Sequence, residues 1–147
     1  MIQNSISRLQ YLCDTIPQLL AKIDEEAFSK KPAPDKWSKK EILGHLIDSA
    51  TNNHHRFVRG QFEDTPAITY KQNEWNLSGH YQKIDSKQLI EFWTVYNKQL
   101  LHLIKHIPKD KLNNKVQTEE IHSIEFLIND YVEHLEHHLR QIIPAYL

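Results

Sequence analysis

The spacing of apolar residues constrains this chain most: they recur every three or four positions in four blocks of about twenty residues, the period of amphipathic helices. In the first block Ile6, Leu9, Leu12, Ile16, Leu19, Leu20 and Ile23 share one face, which predicts a helix over residues 4–23. Pro17 lies inside it without a backbone donor and predicts a kink or break. The second helix has the clearest start. Ser38-Lys39-Lys40-Glu41 reads as a capping box, with Trp37 and Ile42 placed for a hydrophobic staple. It is expected to run to about Gly60, burying Ile42, Leu43, Leu46, Ile47, Ala50, Phe57 and Val58. The third helix is predicted from Asp85 or Ser86 to just before Pro108. The fourth is predicted over 123–143, ended by Pro144, with Ile124, Ile128, Tyr131, Val132, Leu135, Leu139, Ile142 and Ile143 as its stripe.

Four such helices make an antiparallel four-helix bundle the economical fold, all-α, in a single domain spanning residues 1–147. Three glycines in 147 residues argue against tight-turned β architecture. The connections are uneven. Residues 24–36 are polar and held extended by Pro32 and Pro34, and 109–122 form a polar link. Residues 61–85, between the second and third helices, show no sustained period, so the topology need not be plain up-and-down. Phe62, Tyr70, Trp75 and Tyr81 in this segment either seal the end of the bundle or line a pocket.

Composition excludes several functions. Lys plus Arg number 18 and Asp plus Glu 19, so no basic footprint for nucleic acid exists. Cys13 is alone, which rules out an intramolecular disulfide framework and a cysteine-built zinc site. No apolar run approaches the ~18 residues of a membrane span. No basic-then-apolar leader follows Met1, so the expected compartment is the cytoplasm.

Ten histidines turn the search for chemistry to imidazoles. His134 and His138, four apart, stack on one side of the fourth helix beside its apolar stripe, with Gln141 on the same flank. His137 points away and reads as a solvated residue. His102 and His106 repeat the spacing on the third helix, but nearer its outer polar side with Lys98 and Lys105, and read as surface residues. A third ligand is required, and His45, His54, His55, His80 and His122 are available. On the wheel His45 lies off the apolar stripe among Glu41, Ser49, Asn52 and Arg56, where taken alone it is an ordinary polar-face residue. Gly44 before it costs roughly 1 kcal/mol against alanine in a helix, which a close approach of backbone or ligand would explain.

The segment Lys36-Trp37-Ser38 through Glu41-Ile42-Leu43-Gly44-His45-Leu46-Ile47-Asp48, with His134, His138 and Gln141 near the C-terminus, resembles the DinB-like (YfiT-type) superfamily over essentially the whole chain. The resemblance implies a four-helix bundle whose divalent metal ion is held by His45, His134 and His138. Zinc or nickel come first, with iron or manganese as alternatives. Three neutral imidazoles leave the ion its full charge and an open position, and zinc so held lowers the pKa of bound water to about 7. A bound thiol is deprotonated by the same field. The resemblance therefore implies a metal-dependent enzyme acting on a small molecule, by hydrolysis or by transfer of a low-molecular-weight thiol. Asp48 and Glu41 are candidates for a base or a partner of His45, and Gln141 matches the C-terminal pattern. The competing reading is a non-catalytic, stress-associated metal- or ligand-binding protein. A homodimer is compatible with the resemblance, and Ile90, Leu101 and Phe126, outside the main stripes, are candidates for its contact.

Overall fold

The computed structural model describes residues 1–144. Its elements are α1 (Gln3–Ala21), α2 (Glu25–Ser29), α3 (Lys39–Arg59), α4 (Gln72–Gly79), α5 (Ser86–His106), β1 (Lys115–Gln117), β2 (Ile121–Ser123) and α6 (Ile124–Ile142). The four long helices form the expected all-α bundle around a core that includes Leu12, Ile16, Leu43, Leu46, Trp93, Leu100, Ile128 and Leu139. Their starts are written locally. Ser38, Asp85 and Ser123 each accept a hydrogen bond from a backbone amide three residues on, worth about 1 kcal/mol apiece, and the Ser38–Glu41 capping box is complete.

Side-chain pairs between helices give the topology. Ser5 meets Asn129 and Arg8 meets Glu136, so α1 and α6 run in the same direction. Tyr81 lies against Gly44 just before α5 begins, and His54 bonds Tyr96, so α3 and α5 are also parallel. His45 faces His134 while a Cβ on Gly60 would meet Ile124, so α3 and α6 are antiparallel. The order is up, down, down, up. Since α5 starts at the end where α3 started, the chain must climb the length of the bundle between them, which is why residues 60–85 form a long connection.

That connection is not without structure, contrary to the expectation from sequence. It holds α4 and a single 3₁₀ turn, Tyr81–Lys83. Its first part is pinned to the hairpin and to α3: Ile68 N–H donates to the Gln117 carbonyl at 2.8 Å, and Arg56 donates to the Ile68 carbonyl at 3.0 and 3.1 Å. Eight residues of α4 show too little apolar pattern to announce a helix. Two further segments differ in the same way. Asp24 caps α2 inside the stretch expected to be extended, burying Phe28, and residues 109–122 carry a 3₁₀ turn and most of the hairpin. α1 passes through Pro17 unbroken, because one lost hydrogen bond is outweighed by core residues on both sides, Leu9 to Ile16 and Leu20.

Among the residues considered for a contact between copies, Leu101 is buried in the core and Phe126 is exposed. Among the described residues, no helix is long and apolar enough to cross a membrane.

Candidate metal centre

The largest departure from the amphipathic reading is on α3. His45, placed by the wheel on the polar side, is 0% exposed, and Asp48, Ser49, Asn52 and Asn53 are buried with it. The helix is enclosed on more than one side, by α5, by α6 and by the connection that climbs past it. Its polar strip is therefore interior, and that strip is where the chemistry collects.

His45 sits in the second turn of α3, at a height fixed by the capping box. Across the interface α6 presents His134 and His138, both half-buried and one turn apart. The His45 and His134 Nε2 atoms are 3.1 Å apart, and the ring centroids of the three histidines lie 4.5–5.0 Å from one another. One ligand atom from each ring falls within 4.8 Å of the other two. Metal–nitrogen bonds of 2.0–2.1 Å put neighbouring ligand atoms about 3.3 Å apart, a spacing close to that of His45 and His134, while the rest of the cluster, within 4.8 Å, has to draw in by up to about 1.5 Å to share one ion.

Local chemistry favours the ligating form. Burial, then the neighbouring His134 and His138, pushes His45 down to about 3; burial, then His138 and His137, pushes His134 down to about 4. Burial also lowers His138, against the opposing bond to Gln141. All three are neutral at physiological pH, as metal ligands must be. Gln141 Oε1 lies 2.9 Å from His138 Nδ1, so the amide oxygen accepts Nδ1–H and leaves the Nε2 lone pair free. Trp37, foreseen only as half of a staple, lies against His45 with centroids 5.0 Å apart.

The other candidates lie elsewhere. Glu41 closes the capping box and pairs with Lys31 at 2.8 Å. Asp48 is buried, accepts the Tyr81 hydroxyl with one oxygen, and is pushed up to about 6 by burial despite that bond. It makes no hydrogen bond to His45. His54 bonds the Tyr96 hydroxyl, His122 stacks on Phe126, and His55, His80 and His137 are exposed. His102 and His106 are also exposed, and His106 Nδ1–H donates back to the His102 carbonyl at 2.7 Å.

The aromatic connection divides its duties. Phe62 is exposed and Trp75 packs edge-on to Tyr70, whereas Tyr81 lies over Gly44, where a Cβ would come within 2.2 Å of its ring. The close approach that the glycine suggested is thus made by a side chain. An open cleft of about 740 Å³, lined by Lys36, Trp37, Ile42, Gln72, Asn73 and Gln141, adjoins the centre through the residues that touch His45 and His138.

The family model described as the DinB superfamily matches residues 8–142. A protein of Halalkalibacterium halodurans (strain C-125) named "Putative metal-dependent hydrolase" is 25% identical, with 98% of this chain and 85% of the relative covered. Among solved structures, YfiT from Bacillus subtilis, described as a probable metal-dependent hydrolase with an unusual four-helix bundle topology, superposes with a TM-score of 0.84. It is 20% identical, over 95% of this chain and 82% of that one. The mycothiol-dependent maleylpyruvate isomerase gives a TM-score of 0.76 at 12% identity, over 95% of this chain and 60% of the other. The likeness to these two structures is one of fold.

Proposed function

The chain belongs to the DinB superfamily, and from that premise we propose that it is a metal-dependent enzyme acting on a small molecule, with His45, His134 and His138 as ligands of a divalent ion. The observation that carries this reading is the convergence of three neutral imidazoles from two helices beside an open cleft. An ion bound there supplies Lewis-acid polarisation and lowers the pKa of a water or thiol that reaches it. The protein's residues do the rest. Burial withholds protons from the imidazoles, Gln141 fixes the tautomer of His138, and the Trp37 indole keeps solvent off one side of His45.

Hydrolysis is the leading reaction, and transfer of a low-molecular-weight thiol the second. The second draws support from the fold shared with a mycothiol-dependent isomerase. The open cleft favours either over a purely non-catalytic binding role, since a site built only to hold metal has no need of one. The same reading carries a single cytoplasmic domain over residues 1–147, zinc or nickel as the ion, no nucleic-acid partner, and a homodimer to be sought by light scattering.

Metal analysis of the purified protein and of His45→Ala tests the proposal. The wild type is expected to hold one divalent ion per chain and the variant less than a tenth of that. Equal metal in both would end it. Turnover of ester, amide and electrophile panels, with and without small thiols, then separates hydrolase from transferase.

A further inference from the structure

Two buried polar atoms on α3, one helical turn apart, have no hydrogen-bond partner: His45 Nδ1 and Asp48 Oδ2. A buried polar atom left unsatisfied loses its hydration with nothing in return, so a pair of them, one donor-capable and one acceptor, calls for an explanation. At His106 the Nδ1 partner is the carbonyl one turn back, that of His102. For His45 that carbonyl belongs to Glu41, and Asn76 Nδ2 already donates to it at 2.9 Å.

Asp48 is placed to serve instead. At about 100° per residue its position falls between those of Gly44 and His45 on the wheel, and helical side chains lean toward the N-terminus. Its carboxylate therefore lies over the turn that carries both residues. Tyr81 approaches from the Gly44 side, where the missing Cβ admits its ring, and its hydroxyl donates to Asp48 Oδ1. The other oxygen, Oδ2, is left without a partner, as is His45 Nδ1 one turn back.

We infer that Asp48, held by Tyr81, is a positioning residue for His45: its Oδ2 accepts His45 Nδ1–H, through a small rotation or one buried water, and so keeps the Nε2 lone pair turned toward His134. The inference rests on the metal reading above for its purpose, but the hydrogen bond belongs to the metal-free protein too. It gives the long connection a role in the site. Through Tyr81 the segment that covers α3 also sets the orientation of a ligand, and Gly44 is needed because any larger residue would displace the ring.

The test is the tautomer of His45, read by long-range ¹H–¹⁵N NMR on metal-free protein, together with metal affinity measured against a chelator. Wild-type His45 is expected as the Nδ1–H form. Asp48→Ala is expected to lose that preference and bind metal 10–100-fold more weakly, the range found for partners of metal-ligating histidines. Asp48→Asn keeps an acceptor oxygen and should fall between. Adding Tyr81→Phe to Asp48→Ala should weaken binding no further, because the two act through one contact. Nε2–H as the wild-type form overturns the inference, as does an Asp48→Ala protein whose tautomer is unchanged and whose affinity is within twofold of wild type. If the wild type holds no metal, the proposed function fails, and the tautomer still decides this point.

Discussion

Helices α5 and α6 each carry two histidines four residues apart, and only the α6 pair meets a third. His102 and His106 stand on the exposed side of α5, their rings 4.3 Å apart, with His106 turned back to its own helix. His134 and His138 border the apolar stripe of α6 and face α3, where His45 waits behind Trp37. Spacing brings two rings onto one side of a helix; whether that side faces another helix decides whether they become a site. The exposed pair has water on its open side, whereas the three rings of the site face one another, with Trp37 against His45 and Gln141 on His138.

The most direct way to break this comparison is to delete each pair. His134→Ala/His138→Ala is expected to weaken metal binding more than 100-fold, and His102→Ala/His106→Ala to leave it within twofold, both by isothermal titration. A reversal would mean that spacing alone makes the site.

Acid unfolding sharpens the comparison next. His45 and His134 have folded pKa values of about 3 and about 4, below the ordinary 6.5, so between these limits the unfolded chain binds more protons than the folded one. Stability of the metal-free protein should therefore fall as the pH drops below 6.5, by at most about 1.4 kcal/mol per pH unit for each imidazole. Urea titrations from pH 7 to 4 should show a shallower decline for His45→Gln than for wild type. An equal slope would place the acid sensitivity elsewhere.

A smaller effect is expected one residue out from the trio. Gln141→Ala removes the acceptor that sets the His138 tautomer and should weaken metal binding about tenfold, with little change in the fold because Gln141 is exposed. The smallest is His106→Ala, which should shift the denaturation free energy by no more than about 0.5 kcal/mol, as surface changes do.

Much of the fold was legible because its signals are local. Ser38 and Glu41 are three residues apart and form the capping box that the sequence announces, and the α5 and α6 stripes repeat at the helical period. The short elements were not legible. α4, α2 and the hairpin are held by partners far along the chain, such as the bond from Ile68 N–H to the Gln117 carbonyl, and their own few residues carry no period. In the site, His134, His138 and Gln141 could be read together because one helix sets their spacing. His45 was reached through family resemblance alone, since its neighbours on the wheel are polar. Trp37 was legible as half of a staple and Tyr81 as one ring of the long connection, but their contacts with His45 and Gly44 were not, because packing between distant segments makes them.

The sequence by itself determined the four helices, their caps and the pairing of His134 with His138, because hydrogen bonds and periodicity act within a few residues. Only the tertiary structure decided that α3 would run parallel to α5 and antiparallel to α6, and that its polar strip would be enclosed. Burial is a property of what packs against a face, not of the face. That enclosure turns His45 from a surface residue into a neutral one opposite two others, and sets Tyr81 against the glycine beside it.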